Sequence, residues 1–155
     1  MTTVPGTDPS HPTDSTEGWV AKNIAAYLAT DGRKGGSMSG VPLLLLTTQG
    51  AKSGLWRRTV LIFGEHEGNL IVVASVGGAP KHPSWYLNLV ANPAVWVQVG
   101  ADRFEATART ASPEERPALW KKMAELFPNY DGYQRKTSRE IPVVILEPRQ
   151  QPEGR

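Results

Sequence analysis

The stretch Leu43-Leu44-Leu45-Leu46-Thr47-Thr48-Gln49-Gly50-Ala51-Lys52-Ser53-Gly54-Leu55-Trp56-Arg57-Arg58-Thr59-Val60-Leu61-Ile62-Phe63 decides the fold class. Leu43 to Thr48 and Arg57 to Phe63 are apolar, strand-forming runs, and Gln49 to Gly54 between them is a short turn bounded by glycines. This pattern predicts an antiparallel hairpin. Gly50 and Gly54 allow backbone N–H groups to point outward, and Lys52, Ser53 and Arg57 or Arg58 add charge and hydroxyl donors, so the turn can cradle a phosphate. An ordinary solvated turn is the alternative. Side chains alternate along a strand, which places Arg57 with Thr59, Leu61 and Phe63 and Arg58 with Val60 and Ile62; only one arginine should face the cradle. The turn is not the phosphate loop of nucleotide hydrolases, since Ala51 precedes Lys52 and leucines occupy the place of the leading glycine. The chain also lacks the GxGxxG fingerprint of a nicotinamide-binding crossover.

Outward from the hairpin, Leu70 to Ser75, Ala94 to Val99, Arg103 to Thr110 and Val143 to Glu147 read as further strands, about six in all. The brief connectors Gly64 to Asn69 and Gly100 to Asp102 indicate antiparallel meander pairing, and closure into a small barrel would remove the exposed edges. Trp19, Val20, Ile24, Tyr27 and Leu28 recur at helical spacing and predict an amphipathic helix over 18–30, followed by a glycine-rich connector from Gly32 to Gly40. Pro83 opens a helix that Pro93 stops, and Ser112-Pro113-Glu114-Glu115 opens another that carries Leu119, Met123, Leu126 and Phe127 to Pro128. The expected architecture is an α+β domain over 18–148. The Thr-, Pro- and Ser-rich residues 1–17 read as a disordered leader, and 149–155 as a tail.

Composition excludes several function classes. At 155 residues the chain can bury a core without staples, and with no cysteine it carries no disulfide, thiolate zinc or cysteine nucleophile. A net charge of +2 does not call for nucleic acid, yet residues 31–58 hold Arg33, Lys34, Lys52, Arg57 and Arg58 against Asp31 alone, a local field suited to a small anion. No apolar run reaches transmembrane length, and the start does not resemble a signal peptide. The three scattered histidines, His11, His66 and His82, offer neither metal-ligand spacing nor a hydrolase triad; His82 reads as a loop hydrogen-bonder.

Two further constellations carry chemistry. From Ala74 to Asn88 a strand ends at Ser75, Gly77-Gly78 allow close backbone approach, and a helix opens beyond Pro83 with free N–H groups, an arrangement suited to a flat polar ring. Packing is the competing role for Trp85 and Leu89. Tyr130 and Tyr133, three apart after the long helix, share a face if the segment is helical, and read either as an active-site lid or as an aromatic plug on the barrel.

In this order, TTQGAKSGLWRR, ASVGGAPKHPSWYLNLVANP, the WKKM helix, FPNYDGYQ and REIPVVILEP resemble the deazaflavin (F420)-dependent nitroreductase and quinone reductase family of actinobacteria, over residues 41–148. The resemblance implies a split β-barrel like that of the flavin-binding pyridoxamine phosphate oxidases, with coenzyme F420 as cofactor. It implies hydride transfer from C5 of the reduced deazaflavin to a menaquinone-like quinone or to a nitroaromatic or nitroimidazole acceptor. By the same resemblance Ala51, Lys52 and Ser53 with Arg57, Arg58 and Thr59 would hold the phosphate and oligoglutamate portion, and Leu61 and Ile62 would continue along the ring. Val73, Ala74, Ser75 and Val76, then Ser84, Trp85, Tyr86, Leu87 and Asn88, would line the deazaflavin, with Tyr133 closing over it. Ser75 and Tyr133 are the candidates for polarising or protonating the acceptor, and Ile62, Ser75, Tyr130 and Tyr133 for contacting it. Val76 and Ile62 depart from residues that some members carry, lysine and tyrosine respectively, which bears on acceptor preference. The resemblance further implies a cytoplasmic protein that meets lipophilic quinones peripherally at the inner face of the membrane, since the 18–30 helix bears few cations for anchoring. The competing expectations are an FMN oxidoreductase on the same fold and a non-catalytic deazaflavin carrier.

Overall fold

The computed structural model describes residues 6–15, 18–38 and 40–149. In chain order its elements are β1 (Thr13–Asp14), α1 (Gly18–Thr30), β2 (Ser37–Met38), β3 (Val41–Gln49), β4 (Trp56–Ile62), β5 (Gly64–His66), β6 (Asn69–Val73), α2 (Ser84–Ala91), β7 (Ala94–Val99), β8 (Asp102–Thr110), α3 (Arg116–Leu126), α4 (Asn129–Lys136) and β9 (Val143–Pro148). The expected hairpin is present: β3 and β4 pair antiparallel from Leu43 opposite Ile62 to Gln49 opposite Trp56.

The sheet runs β1-β4-β3-β7-β8-β9-β6-β5, with β2 on β3, and every pairing except β1 with β4 is antiparallel. Two kinds of strand follow from the two kinds of sequence run. β3, β6 and β9 are continuously apolar because both of their faces are covered. Leu44, Leu46, Leu70, Val72, Val144 and Leu146 point into the curl of the sheet, where Val95, Val97 and Leu89 of α2 meet them. Their neighbours point the other way: Leu43 and Leu45 pack on Ile24 and Tyr27 of α1, and Ile71, Val73, Val143 and Ile145 pack on Leu119 and Met123 of α3 and Tyr130 of α4. By contrast β8 buries Ala106 and Ala108 and exposes Glu105, Thr107 and Arg109 to intermediate or full degree, the period-2 alternation of a half-covered strand.

Three of the strands, β1, β2 and β5, are two or three residues long and add to the six read from the sequence. Among the described residues the sheet curls without closing, because its path ends at β1 and β5 and no ladder joins β4 to β6. This is the split of a split β-barrel. Residues 6–15, assigned above to a leader without structure, are instead laid along the outer edge of β4: Trp56 N donates to the Gly6 carbonyl at 2.7 Å and Ser15 N to the Arg58 carbonyl at 3.0 Å. Residues 1–5, 16–17, 39 and 150–155 lie outside the described residues. The helix expected to run from Ser112 to Pro128 begins only at Arg116, after Ser112 and Glu115 exchange backbone-to-side-chain bonds as a capping box, and Pro128 separates it from α4.

Candidate active site

A cavity of about 700 Å³ occupies the seam between β4 and the end of β6. Its walls come from Arg57 to Ile62 on β4, Val73 at the end of β6 and Ser75, Val76 and Gly77 beyond it, Ser84, Trp85 and Asn88 on α2, Phe127 between α3 and α4, and Tyr130 and Tyr133 on α4. The sheet path ends at β1 and β5, short strands laid on β4 and β6, and the enclosed space is large enough for a tricyclic ring with a phosphorylated side chain.

At one end the hairpin turn is more self-contained than the sequence suggests. Gly50 N donates to Leu55 O, Gly54 N to Gly50 O and Leu55 N to Ser53 Oγ, at 2.7, 3.0 and 3.1 Å, while Ala51 N donates to Asn88 Oδ1 at 3.0 Å. Of the turn's amides only those of Lys52 and Ser53 take no partner among the described residues. Asn88 is spent on this junction as well, since its Nδ2 donates to Thr48 Oγ1 at 3.2 Å. Charge at this end therefore comes from side chains. Arg57 lines the cavity without an ion-pair partner among the described residues, whereas Arg58, 12% exposed, is held by Asp14 of β1 through bonds of 2.5 and 3.1 Å. The expectation that only one arginine faces the cradle is not met, since both line the cavity; the two differ in that Arg58 is held by Asp14 while Arg57 has no ion-pair partner among the described residues.

The other end is built on distorted backbone. Ser75 is 9% exposed and lies on the cavity wall at the end of the β6 run. Val76, Gly77 and Gly78 follow at φ of 44°, 61° and 84°, a 3-10 turn in which the β-branched Val76 occupies the left-handed region. Across from it Tyr133 reaches the cavity from α4, flanked by Phe127 and Tyr130 with ring centroids 6.2 and 6.3 Å away. Burial, and then the neighbouring Tyr133 hydroxyl, raises the Tyr130 phenol well above its ordinary range, so it stays protonated.

The F420H(2)-dependent quinone reductase family model matches residues 19–148. An F420H(2)-dependent quinone reductase of Mycobacterium tuberculosis is 44% identical over 126 residues, covering 79% of this chain and 85% of its own. The chain belongs to this family. A solved F420H2-dependent reductase, FDR-A, is 50% identical, with a TM-score of 0.64 over 68% of this chain and 94% of its own. The same fold extends to a protein of Listeria innocua assigned to the pyridoxamine 5′-phosphate oxidases, at 15% identity and a TM-score of 0.51, covering 84% of this chain and 93% of that one. Family membership makes the chain an enzyme whose cofactor is coenzyme F420.

The cavity fits that group: the Arg57 guanidinium, without an ion-pair partner among the described residues, lies at one end for an anionic tail, apolar and aromatic walls from Leu61, Ile62 and Trp85 line the middle, and hydroxyls lie at the other end. Of the positions expected to hold it, Arg57, Arg58, Thr59, Leu61, Ile62, Val73, Ser75, Val76, Ser84, Trp85, Asn88 and Tyr133 line the cavity, as does Tyr130. Six do not. Ala51, Lys52 and Ser53 are exposed on the turn, and Leu87 is exposed on the outward face of α2. Ala74 is buried, and Tyr86 packs against the core while its hydroxyl bonds Thr110 Oγ1 at 2.8 Å. The cavity also includes Asp14 and Met38, which the sequence reading left aside, and Trp19, which it placed only on the apolar stripe of the first helix. Asp14 sits in a polar stretch with no strand pattern, and the only signal for it was an acid lying upstream of an unmatched run of cations.

Proposed function

We propose that this reductase passes two electrons from reduced F420 to a lipophilic, menaquinone-like quinone bound in the seam. The observation that carries the reading is the polarity gradient of one cavity, from Arg57, without an ion-pair partner among the described residues, through apolar walls to Ser75 and Tyr133. When bound, the reduced coenzyme supplies a hydride to the acceptor. Arg57 binds the anionic portion, Leu61, Ile62 and Trp85 exclude water and fix the plane of the ring, and the Ser75 and Tyr133 hydroxyls are placed to donate to the acceptor oxygen. Such donors contribute on the order of 10²-fold in related chemistry. Trp19, 57% exposed at the rim, offers an apolar contact for a lipophilic tail. Among the described residues no helix is long and apolar enough to cross a membrane, so contact with a quinone-bearing bilayer would be peripheral.

The test is an assay in which reduced F420 is mixed with purified protein and a menaquinone analogue is then added. Oxidation that requires both protein and quinone supports the reading. Tight coenzyme binding with no electron transfer to any quinone would convert the protein into a carrier, and a yellow, FMN-containing preparation would replace the cofactor.

A further inference from the structure

Arg139, in the link between α4 and β9, makes contacts that the reaction scheme above does not use. Its Nε donates to Ala79 O at 2.8 Å, Nη2 to Ser75 O at 2.8 Å, and Nη1 to Ala74 O at 3.2 Å and to His82 Nδ1 at 2.9 Å. All five arginine N–H groups can only donate, so His82 accepts at Nδ1 and carries its proton on Nε2. One planar fork thus gathers three carbonyls from a single turn, the turn that bears Ser75 and the left-handed Val76. A β-branched residue at positive φ persists only where its surroundings over-determine the backbone. Inside the turn there are just two bonds, Gly78 N to Ser75 O at 2.9 Å and Ala79 N to Val76 O at 3.0 Å.

The same arginine is tied to the helix across the cavity. Gln134 Nε2 of α4 donates to Arg139 O at 2.8 Å, and Lys136 Nζ of α4 donates to Gly77 O at 3.3 Å. A Cβ on Gly78 would fall 2.7 Å from Tyr133 O, so the turn's backbone lies directly against the backbone of α4 at the residue that reaches into the cavity.

We propose that Arg139 is a positioning residue that locks the Ser75–Gly78 turn in its left-handed form and fixes the spacing of Ser75 and Tyr133 across the cavity. The consequence for turnover rests on the quinone-reductase reading; the clamp itself does not. A lysine could not replace it, because one ammonium cannot span carbonyls at Ala74, Ser75 and Ala79 in a fixed plane.

The experiment is residue-resolved hydrogen exchange on the full chain without coenzyme, paired with coenzyme titration and steady-state kinetics, for Arg139→Gln and Arg139→Lys. Both variants should speed exchange at the Gly78 and Ala79 amides by about tenfold or more while β3 and β7 stay within about twofold. Both should lower kcat by about tenfold with F420 affinity changed by less than about threefold, the split expected when only acceptor geometry is lost. Exchange unchanged at the turn, or raised equally throughout the barrel, would overturn the proposal. So would wild-type behaviour of Arg139→Lys, and that variant carries the measurement if Arg139→Gln does not fold. If the turn loosens as expected but the unmutated protein passes no electrons from F420 to quinone, the functional reading fails and the clamp stands.

Discussion

At the cationic end of the cavity the turn between Gln49 and Trp56 has the amides of Gly50, Ala51 and Gly54 claimed by Leu55, Asn88 and Gly50, so what it offers a ligand is chiefly the side chain of Arg57, which has no ion-pair partner among the described residues. At the serine end the side chains are modest, and it is the backbone that is unusual, three successive residues at positive φ held by Arg139 and pressed against α4. The first end can be altered one side chain at a time with local effect. The second is a unit in which the fold and the placement of the reacting groups share the same bonds.

Matched glycine substitutions should expose this contrast most strongly. Gly78→Ala introduces both a left-handed alanine and a contact of 2.7 Å with the Tyr133 carbonyl, an obstacle made of backbone that cannot swing aside. A loss of about 2–4 kcal/mol is expected, or roughly 6–12 °C in melting temperature for a chain of this size, together with a fall in turnover. Gly54→Ala is also left-handed, at φ 72°, but its Cβ meets nothing within 4 Å. Its cost should be confined to the backbone term, about 1–2 kcal/mol. Equal melting temperatures for the two variants would mean that the ends are not differently built.

The two arginines come next. Arg57→Ala should weaken F420 binding by about tenfold, the value of one charge-assisted contact at a partly solvated site. Arg58→Ala removes the bond to Asp14 and should leave coenzyme affinity within about threefold while loosening β1 from the β4 edge. Fluorescence titration of both variants decides it: equal losses would show that Asp14 gives up Arg58 to the coenzyme. Lys52, exposed on the turn and outside the cavity wall, should act only at long range. Lys52→Ala is expected to cost about two- to threefold at low salt and nothing near 1 M, where the Debye length is about 3 Å.

What the sequence made legible follows the same division. The leucine run of β3 and the valine and isoleucine runs of β6 and β9 announced strands because apolar faces on both sides leave no polar interruption, and period-2 alternation separated Arg57 from Arg58. Ser75 and Tyr133 fell in stretches that the pattern singled out, while the roles proposed for them came through resemblance. The link between them was not legible, because Arg139 acts on carbonyls, which every residue possesses, and a long-range bond to backbone leaves no side-chain pattern at its target. The pairing of β1 was missed for a related reason: Thr13–Asp14 is held by the β4 edge and by Arg58, neither of which shows in a Thr-, Pro- and Ser-rich segment. The turn's outward-facing amides were over-read, since glycine permits such a geometry without requiring it, and Leu55, Asn88 and Gly50 claim the amides of Gly50, Ala51 and Gly54.

The smallest expected effect reports on the clamp from the imidazole side. Burial lowers the His82 pKa below its ordinary value of 6.5, and the adjacent Arg139 charge lowers it further. Arg139 Nη1 and Nδ1 are 2.9 Å apart, a contact that requires the nitrogen to be unprotonated. Protonation would place two donors and two positive charges face to face. Because the folded value lies below the unfolded one, the unfolded chain binds more protons as pH falls beneath about 6.5, so stability should decline from there down through the folded pKa and level off below it. An NMR titration of the imidazole should therefore give a midpoint below 6.5 in the unmutated protein. In Arg139→Gln the midpoint should move upward, because the charge is gone, yet stay short of the ordinary value if the site keeps its burial. Protection of the Gly78 and Ala79 amides, taken relative to their intrinsic exchange rates at each pH, should fall over the same acidic range in the unmutated protein and lose that dependence in Arg139→Gln. A midpoint unmoved by the substitution would mean that burial alone sets the imidazole, and that the fork holds the turn without sensing His82.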